Sequence, residues 1–359
     1  MKVKETVNLI NKNVSSLAAY HLTPVETDIK LNQNESPFDW PVEAKQKIAD
    51  LCLSREWNRY PNFIPDELKE KIGKSVGLSG EQVVVGNGSN EMLLTIFQAL
   101  TGEKSKVLLN FPTFTVYNLL ASGMGRSVEN SFLNSDLSYN LDSILEMSSK
   151  DPEGLLIICT PNNPTGSALT KEQTIAILEH HKGFVVLDQA YIEFGGYNAI
   201  ELIEKYPNLI VTRTFSKAFG GAGIRFGFML GNSEVISQIN KIKLPYNISF
   251  MTEAMASTML DYDELRGERV ETLIKGRVFL IEEFKKLPFE KVYESEANFI
   301  IVKLKKHNEL FEFLKEESIL IRNVSSYPML DNCLRINVGT DEENGKLLNS
   351  LNSFFKEEK

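Results

Sequence analysis

The chain has 359 residues, 42% of them hydrophobic and 24% charged, and a formal net charge of −9. That length predicts one large domain with a smaller companion, the acidic balance argues against nucleic acid as a main partner, and no apolar run approaches the ~20 residues of a membrane span. Cys52, Cys159 and Cys333 are odd in number and widely spaced, and His21, His180, His181 and His307 lack ligand spacing; neither a disulfide framework nor a metal site is expected, and a reducing, cytoplasmic compartment is.

The N-terminus, MKVKETVNLINKNVSSL, is amphipathic and polar rather than a signal peptide. Between about Gln82 and Gly231, short apolar runs alternate with helical patterns. The runs are VVV (83–85), KVLLN (106–110), LLIICT (155–160), FVVLD (184–188), LIVTR (209–213) and FGFML (226–230), with stretches such as EMLLTIFQAL and KEQTIAILEH between them. Near-continuous apolar strands separated by helices predict an α/β domain with a mostly parallel sheet covered on both faces. His180 and His181 follow the periodic run TIAILEH and are expected to close a helix.

After about Pro245 the pattern changes. Long helices are expected over 251–286, then FIIVKL (299–304), a helix near 307–317, CLRINVG (333–339) and a last helix over 341–356. The expected division is an N-terminal arm with part of the small domain over 1–40, a large domain over 41–245 and a small α+β domain over 246–359. No Gly/Ser linker divides them, which predicts a shared interface.

In an open α/β sheet, ligands sit beyond the carboxyl ends of the strands. Five post-strand turns hold groups of interest. GNGSNE (86–91) leads glycines into a helix beginning near Ser89, a possible anion site, although a capping serine alone explains it equally well. Phe114 follows KVLLN, where a core ring is the commoner reading. PNNPTG (161–166) is a rigid turn that aims amides at the strand ends. Asp188 closes FVVLD, so its carboxylate is expected to be buried and to need a partner; Tyr191 lies three residues on. In TFSKAFGGAGIRFGF (214–228), Lys217 sits among small and apolar residues and is followed by Arg225. A lysine so placed has a depressed pKa, and its neutral amine is a nucleophile. A phosphate cradle, a ring platform, an amide donor, a buried aspartate and a Schiff-base lysine together match the groups that hold pyridoxal phosphate, an electron sink on a protonated pyridine.

The chain resembles the aspartate-aminotransferase fold type of pyridoxal-phosphate enzymes, and within it the histidinol-phosphate aminotransferases. The resemblance runs nearly end to end, through LNQNESP (31–37), YP (60–61), GNGSNE, FPTFTVY, PNNPTG, DQAYIEF, RTFSKAFGGAGIRFGF, EANFI (296–300) and LRINVGT (334–340). It implies a seven-stranded, mostly parallel sheet between helices plus a smaller domain, and the cofactor pyridoxal 5′-phosphate. By the same resemblance Lys217 carries the Schiff base and moves the substrate proton, Asp188 pairs with the pyridinium nitrogen, and Tyr191 and Asn163 bond the ring O3′. Ser89, Asn90, Thr214, Ser216 and Arg225 hold the phosphate, beside a Phe114 ring. Tyr60 reaches that phosphate from a neighbouring subunit, which implies a homodimer with shared sites. Arg335 grips the substrate anion, with Arg322, Tyr20 and Asn34 beside it.

The departures from the family pattern are Gln189 in DQAY, expected to face away from the ring, Phe114 for a tyrosine, the Ser89-Asn90 pair, and GGAG where a leucine is usual. The implied activity is transamination between L-histidinol phosphate and 2-oxoglutarate. An aromatic amino-acid aminotransferase and a pyridoxal-phosphate decarboxylase of amino-acid phosphates are the alternatives. A DNA-binding regulator lacks its helix-turn-helix here.

Overall fold

The computed structural model describes residues 3–17 and 26–357; Tyr20, expected beside the substrate, lies outside the described residues. Thirteen strands are present among them: β1 (Ile29–Lys30), β2 (Val83–Gly86), β3 (Lys106–Phe111), β4 (Ser127–Phe132), β5 (Leu155–Cys159), β6 (Val185–Asp188), β7 (Leu209–Thr214), β8 (Gly227–Gly231), β9 (Lys291–Val292), β10 (Phe299–Lys303), β11 (Ile319–Leu320), β12 (Arg322–Asn323) and β13 (Cys333–Asn337). Seven of these form one sheet in the order β2-β8-β7-β6-β5-β3-β4. All its pairings are parallel except those of β8, which runs antiparallel to both β2 and β7. The α/β class and the mostly parallel seven-stranded sheet are therefore as expected.

The alternation of side chains along each strand explains why the apolar runs are continuous. Val83 and Val85 enter one buried cluster and Val84 the other; Leu108 faces the first, Val107 and Leu109 the second. Each face needs its own cover. Helices Gly88–Leu100 and Thr115–Gly123 cover one face through Met92, Leu93, Ile96, Phe97 and Tyr117, while Ile144, Ile177 and Ile200 lie against the other. Helix Lys171–His180 starts in a capping box between Thr170 and Gln173, which satisfies amides at its first turn, and His181 is its C-cap residue as expected.

The helical stretch expected over 251–286 divides at Asp261–Tyr262 into helices Phe250–Leu260 and Asp263–Phe284. A four-stranded antiparallel sheet, ordered β12-β13-β10-β9, packs with helices Asp263–Phe284, His307–Glu316 and Asp341–Glu357 in a third cluster around Phe284, Phe299, Leu310 and Leu347. Ile29 and Leu31 belong to this cluster, and β1 pairs in parallel with β11. Tyr191 and Ala218 belong to it too, so the residues just beyond β6 and β7 lie where the two sheets meet. No helix among the described residues is long and apolar enough to cross a membrane.

Candidate active site

A cavity of about 430 Å³ opens beyond the carboxyl ends of β5, β6 and β7, closed on its other side by segment 32–35 and by β12 and β13. Ser89, Asn90, Phe114, Asn163, Asp188, Tyr191, Thr214, Ser216, Lys217, Arg225, Arg322, Arg335 and Asn34 all line it. The expected site residues therefore converge, apart from Tyr20, outside the described residues, and Tyr60.

The phosphate end is built on close backbone approach. Gly88, with φ +77, opens helix Gly88–Leu100, and a Cβ there would meet Arg225 Nη2 at 2.8 Å. Gly227 lies across from Gly86 on β2, and its Cβ would meet Ser89 N at 2.4 Å. Glycine at both positions lets the guanidinium and the free amides of the first helical turn share one small space, which suits an anion. Arg225 takes a left-handed backbone, φ 53, which turns its side chain back: Nη1 donates to Ser216 Oγ at 3.3 Å and to Ala222 O at 3.0 Å. Thr214 Oγ1 donates to Ser216 Oγ at 3.0 Å, completing a hydroxyl pair beside the arginine.

The ring end holds two displaced titrations. Asp188 ends β6 and is 3% exposed; burial raises its carboxyl above the usual range, opposed by hydrogen bonds that include one from Tyr117. Tyr117 Oη donates to Oδ2 at 2.7 Å and the Ala190 amide donates to Oδ1 at 3.2 Å. Lys217 Nζ donates to Gln33 O at 2.9 Å and lies 5.8 Å from the Tyr191 ring centroid. Burial, and next the charge of Arg335, lower the ammonium of Lys217 from 10.5 to about 7, against the pull of Glu35. A group with that value serves as a base or nucleophile at neutral pH.

At the substrate end Arg335 on β13 donates from Nη1 to Asn163 Oδ1 and from Nη2 to Asn32 O, the latter at 2.7 Å. Arg322 stands directly across from it on β12. Asn34, with φ 56, donates from Nδ2 to Tyr191 Oη at 2.8 Å, so its amide holds the tyrosine as well as lining the cavity. Gln189 faces away as expected: its amide donates to Tyr197 O at 2.8 Å and its carbonyl accepts from Arg213 Nη2 at 3.2 Å. Tyr60 is 81% exposed and stacks on Tyr246, with centroids 4.6 Å apart, outside this chain's own cavity.

Sequence reasoning missed Tyr117, Tyr327, Glu35 and the backbone acceptors of residues 32 and 33. Tyr117 had a signal, since Phe114 and Tyr117 are spaced to share the first turn of a helix; their rings meet edge to face with centroids 5.6 Å apart. Pyridoxal phosphate fits this donor set. The glycine-lined cradle with Arg225 suits a phosphate, Asp188 is a buried acid in need of a cation, and Lys217 is an amine near neutrality.

A family model described as aminotransferase class I and II matches residues 26–351. The histidinol-phosphate aminotransferase of Chlorobaculum tepidum is 39% identical over 91% of this chain and 94% of its own. The solved histidinol-phosphate aminotransferase of Clostridium acetobutylicum is 26% identical and superposes with a TM-score of 0.84 over 92% of this chain and 99% of that one. That of Sinorhizobium meliloti, solved in complex with pyridoxal-5′-phosphate, shares the fold with a TM-score of 0.87 at 22% identity, covering 98% of each chain.

Proposed function

The chain belongs to the aminotransferase class I and II family and is a pyridoxal-phosphate-dependent aminotransferase, and from that premise we propose that it moves the amino group of L-histidinol phosphate to 2-oxoglutarate, a step of histidine biosynthesis. The observation that carries the choice of donor is the pairing of Arg322 with Arg335 on adjacent strands. Like charges directly opposite each other repel, and a phosphate dianion is the ligand that reverses that cost; two guanidinium forks suit it better than they suit a lone carboxylate.

When bound, the cofactor supplies a carbonyl that condenses with amines and a ring that withdraws electrons from the substrate α-carbon. Arg225, Ser216, Thr214 and the first-turn amides at Ser89 and Asn90 bind its phosphate. Phe114 would pack against the ring, Asp188 would hold the proton on the ring nitrogen, and Tyr191 and Asn163 would donate to the ring oxygen. Lys217, whose ammonium is lowered to about 7, would be the amine that holds the aldehyde carbon and the base that would move the proton at the substrate α-carbon. Arg335 and Arg322 orient the donor through its phosphate. Arg335 also bonds Asn163, which links the anion grip to a ring contact.

The working unit we propose is a homodimer. Trp57, Tyr60, Phe63 and Leu244 are large apolar side chains at least 57% exposed, and Tyr246 joins Tyr60 and Phe63 by ring contacts. The exposed ring cluster of Tyr60, Phe63 and Tyr246 suits an interface, and Tyr60 of a second copy is the group that completes the phosphate site. Three buried, unpaired cysteines support a cytoplasmic location.

The test is amino transfer by the holoenzyme. Glutamate should form from 2-oxoglutarate with L-histidinol phosphate as donor, at a kcat/KM well above that with phenylalanine or tyrosine. Equal or better rates with the aromatic amino acids would move the donor class, and carbon dioxide released from an amino-acid phosphate would move the reaction class.

A further inference from the structure

We infer that Tyr117 is a positioning residue for the cofactor: its hydroxyl holds the Asp188 carboxylate ionised and oriented, and through Asp188 it sets how firmly the ring nitrogen is gripped. The inference rests on the reading of Asp188 as the partner of that nitrogen.

Three features of Tyr117 carry it. Tyr117 is fully buried, in the helix that covers one face of the large sheet, and its Oη lies 2.7 Å from Asp188 Oδ2. An ionised carboxylate has acceptors only, so the phenol must donate. Burial, and then the Asp188 charge itself, push the phenol well above its ordinary range, so it keeps its proton. A donated hydrogen bond is stronger to the charged carboxylate than to the neutral acid, so it stabilises the charged form.

The rest of the shell around Asp188 explains why such help is needed. Oδ1 accepts the Ala190 amide at 3.2 Å, Thr212 directly across on β7 adds a hydroxyl that also favours the charged form, and the Cys159 thiol is raised by burial and stays neutral. Among the described residues no lysine or arginine is hydrogen-bonded to the carboxylate, so its ionised state depends on dipoles. Of these Tyr117 is the short side-chain contact. Without it a buried carboxyl in this setting takes the proton for itself, and an acid facing an unprotonated pyridine binds it less firmly than a carboxylate facing a pyridinium.

The bland alternative is a core tyrosine that has merely found an acceptor, as buried tyrosines do. Tyr117→Phe separates the two, because it keeps the ring, its packing and its edge-to-face contact with Phe114, and removes only the hydroxyl.

The experiment is a double-mutant cycle read on cofactor affinity rather than turnover. Dissociation constants for pyridoxal phosphate are measured for the native protein, Tyr117→Phe, Asp188→Asn and the double variant, with melting temperatures recorded to confirm that each is folded. We expect Tyr117→Phe to weaken binding about tenfold in the native background, the scale of a lost hydrogen bond to a charged group, and less than threefold when Asp188 is already Asn. A loss of similar size in both backgrounds, or no loss in the native one, overturns the inference. An Asp188→Asn variant that binds as tightly as the native protein overturns instead the reading of Asp188 on which it rests. Nitrogen-15 in the cofactor ring gives a second readout: its resonance in Tyr117→Phe should move toward the unprotonated position, and an unmoved resonance counts against the role.

Discussion

Strands β5, β6 and β7 carry polar residues at both ends, and the two ends use them differently. At the amino ends the polar groups close on one another. His181 bonds Ser148 through Nδ1 at 2.7 Å and Gly154 O through Nε2 at 2.8 Å, while Asn208 donates to Gly183 O at 2.8 Å. At the carboxyl ends Asp188, Ser216, Lys217 and Arg225 instead converge on a cavity large enough for a ligand. Burial there pushes an acid up and an amine down rather than pairing them. A closed polar network is structural; convergent groups with displaced titrations around a cavity are the mark of chemistry. Variants at the two ends should accordingly fail in opposite ways.

Lys217→Ala tests the carboxyl end most severely. Losing the base should lower turnover by a factor of at least about 10²–10⁴, measured as glutamate formation, while the fold survives. Stability should respond in the opposite sense. The unfolded lysine titrates near 10.5 and the folded one near 7, so between those values the unfolded chain holds the extra proton and the native apoprotein gains stability as pH rises. Lys217→Ala should remove that part of the gain, and at pH 7 should melt no lower than the native apoprotein. A clear drop in melting temperature would mean that the lysine is structural and the contrast between the ends is false.

Arg335→Lys comes next and asks whether the anion grip depends on fork geometry or on charge. It should cost about tenfold to a hundredfold in kcat/KM for a phosphorylated amine, with little change for an amine that has no phosphate. Arg322→Lys should follow the same pattern more weakly, since Arg335 is the buried member of the pair and bonds Asn163. Equal losses with both kinds of amine would assign the arginines to folding rather than recognition.

The same contrast explains what could be read before the fold was known. A buried parallel strand is a continuous apolar run, and the polar residues at its carboxyl end and in the turn that follows face the cavity; Asp188, Asn163 and Lys217 are legible for that reason. β4 is not, because Ser127–Phe132 is an edge strand exposed along most of its length, and its sequence SVENSF has neither a continuous apolar run nor a full alternation. Residues that arrive from elsewhere in the chain are equally hidden. Asn34 meets Tyr191 across 157 positions, a pairing that no local pattern announces, so the amide that holds this tyrosine could be read only as one more lining group. Tyr117 is hidden for the same reason, because its partner, Asp188, lies 71 positions away.

Gly227→Ala sharpens the comparison at the backbone. The added Cβ meets the amide of Ser89 at 2.4 Å and Gly88 C at 2.6 Å, and neither can rotate aside. β8 must move from the first turn of helix Gly88–Leu100, at a cost of about 1–3 kcal/mol by denaturant titration. Because that turn belongs to the phosphate cradle, cofactor affinity should fall together with stability. An alanine tolerated on both counts would mean that the cradle is looser than these distances require.

His181 gives the smallest effect and the one specific to the amino ends. Its Nε2 faces a carbonyl and must donate, and in the neutral ring Nδ1 then accepts from Ser148. Burial, helped by nearby His180 and opposed by the Gly154 carbonyl and Asp151, holds the imidazole below its ordinary 6.5. Below that pH the unfolded chain takes up a proton that the folded ring refuses, so stability is intact above about pH 6.5 and is lost as pH falls toward the lower folded value. Measured between pH 7.5 and 5, the native protein should lose more than a His181→Gln variant, while cofactor affinity at pH 7.5 should be the same in both. If the substitution changed cofactor affinity at pH 7.5, the amino-end network would be coupled to the site, and the division between the two ends of the sheet would have to be abandoned.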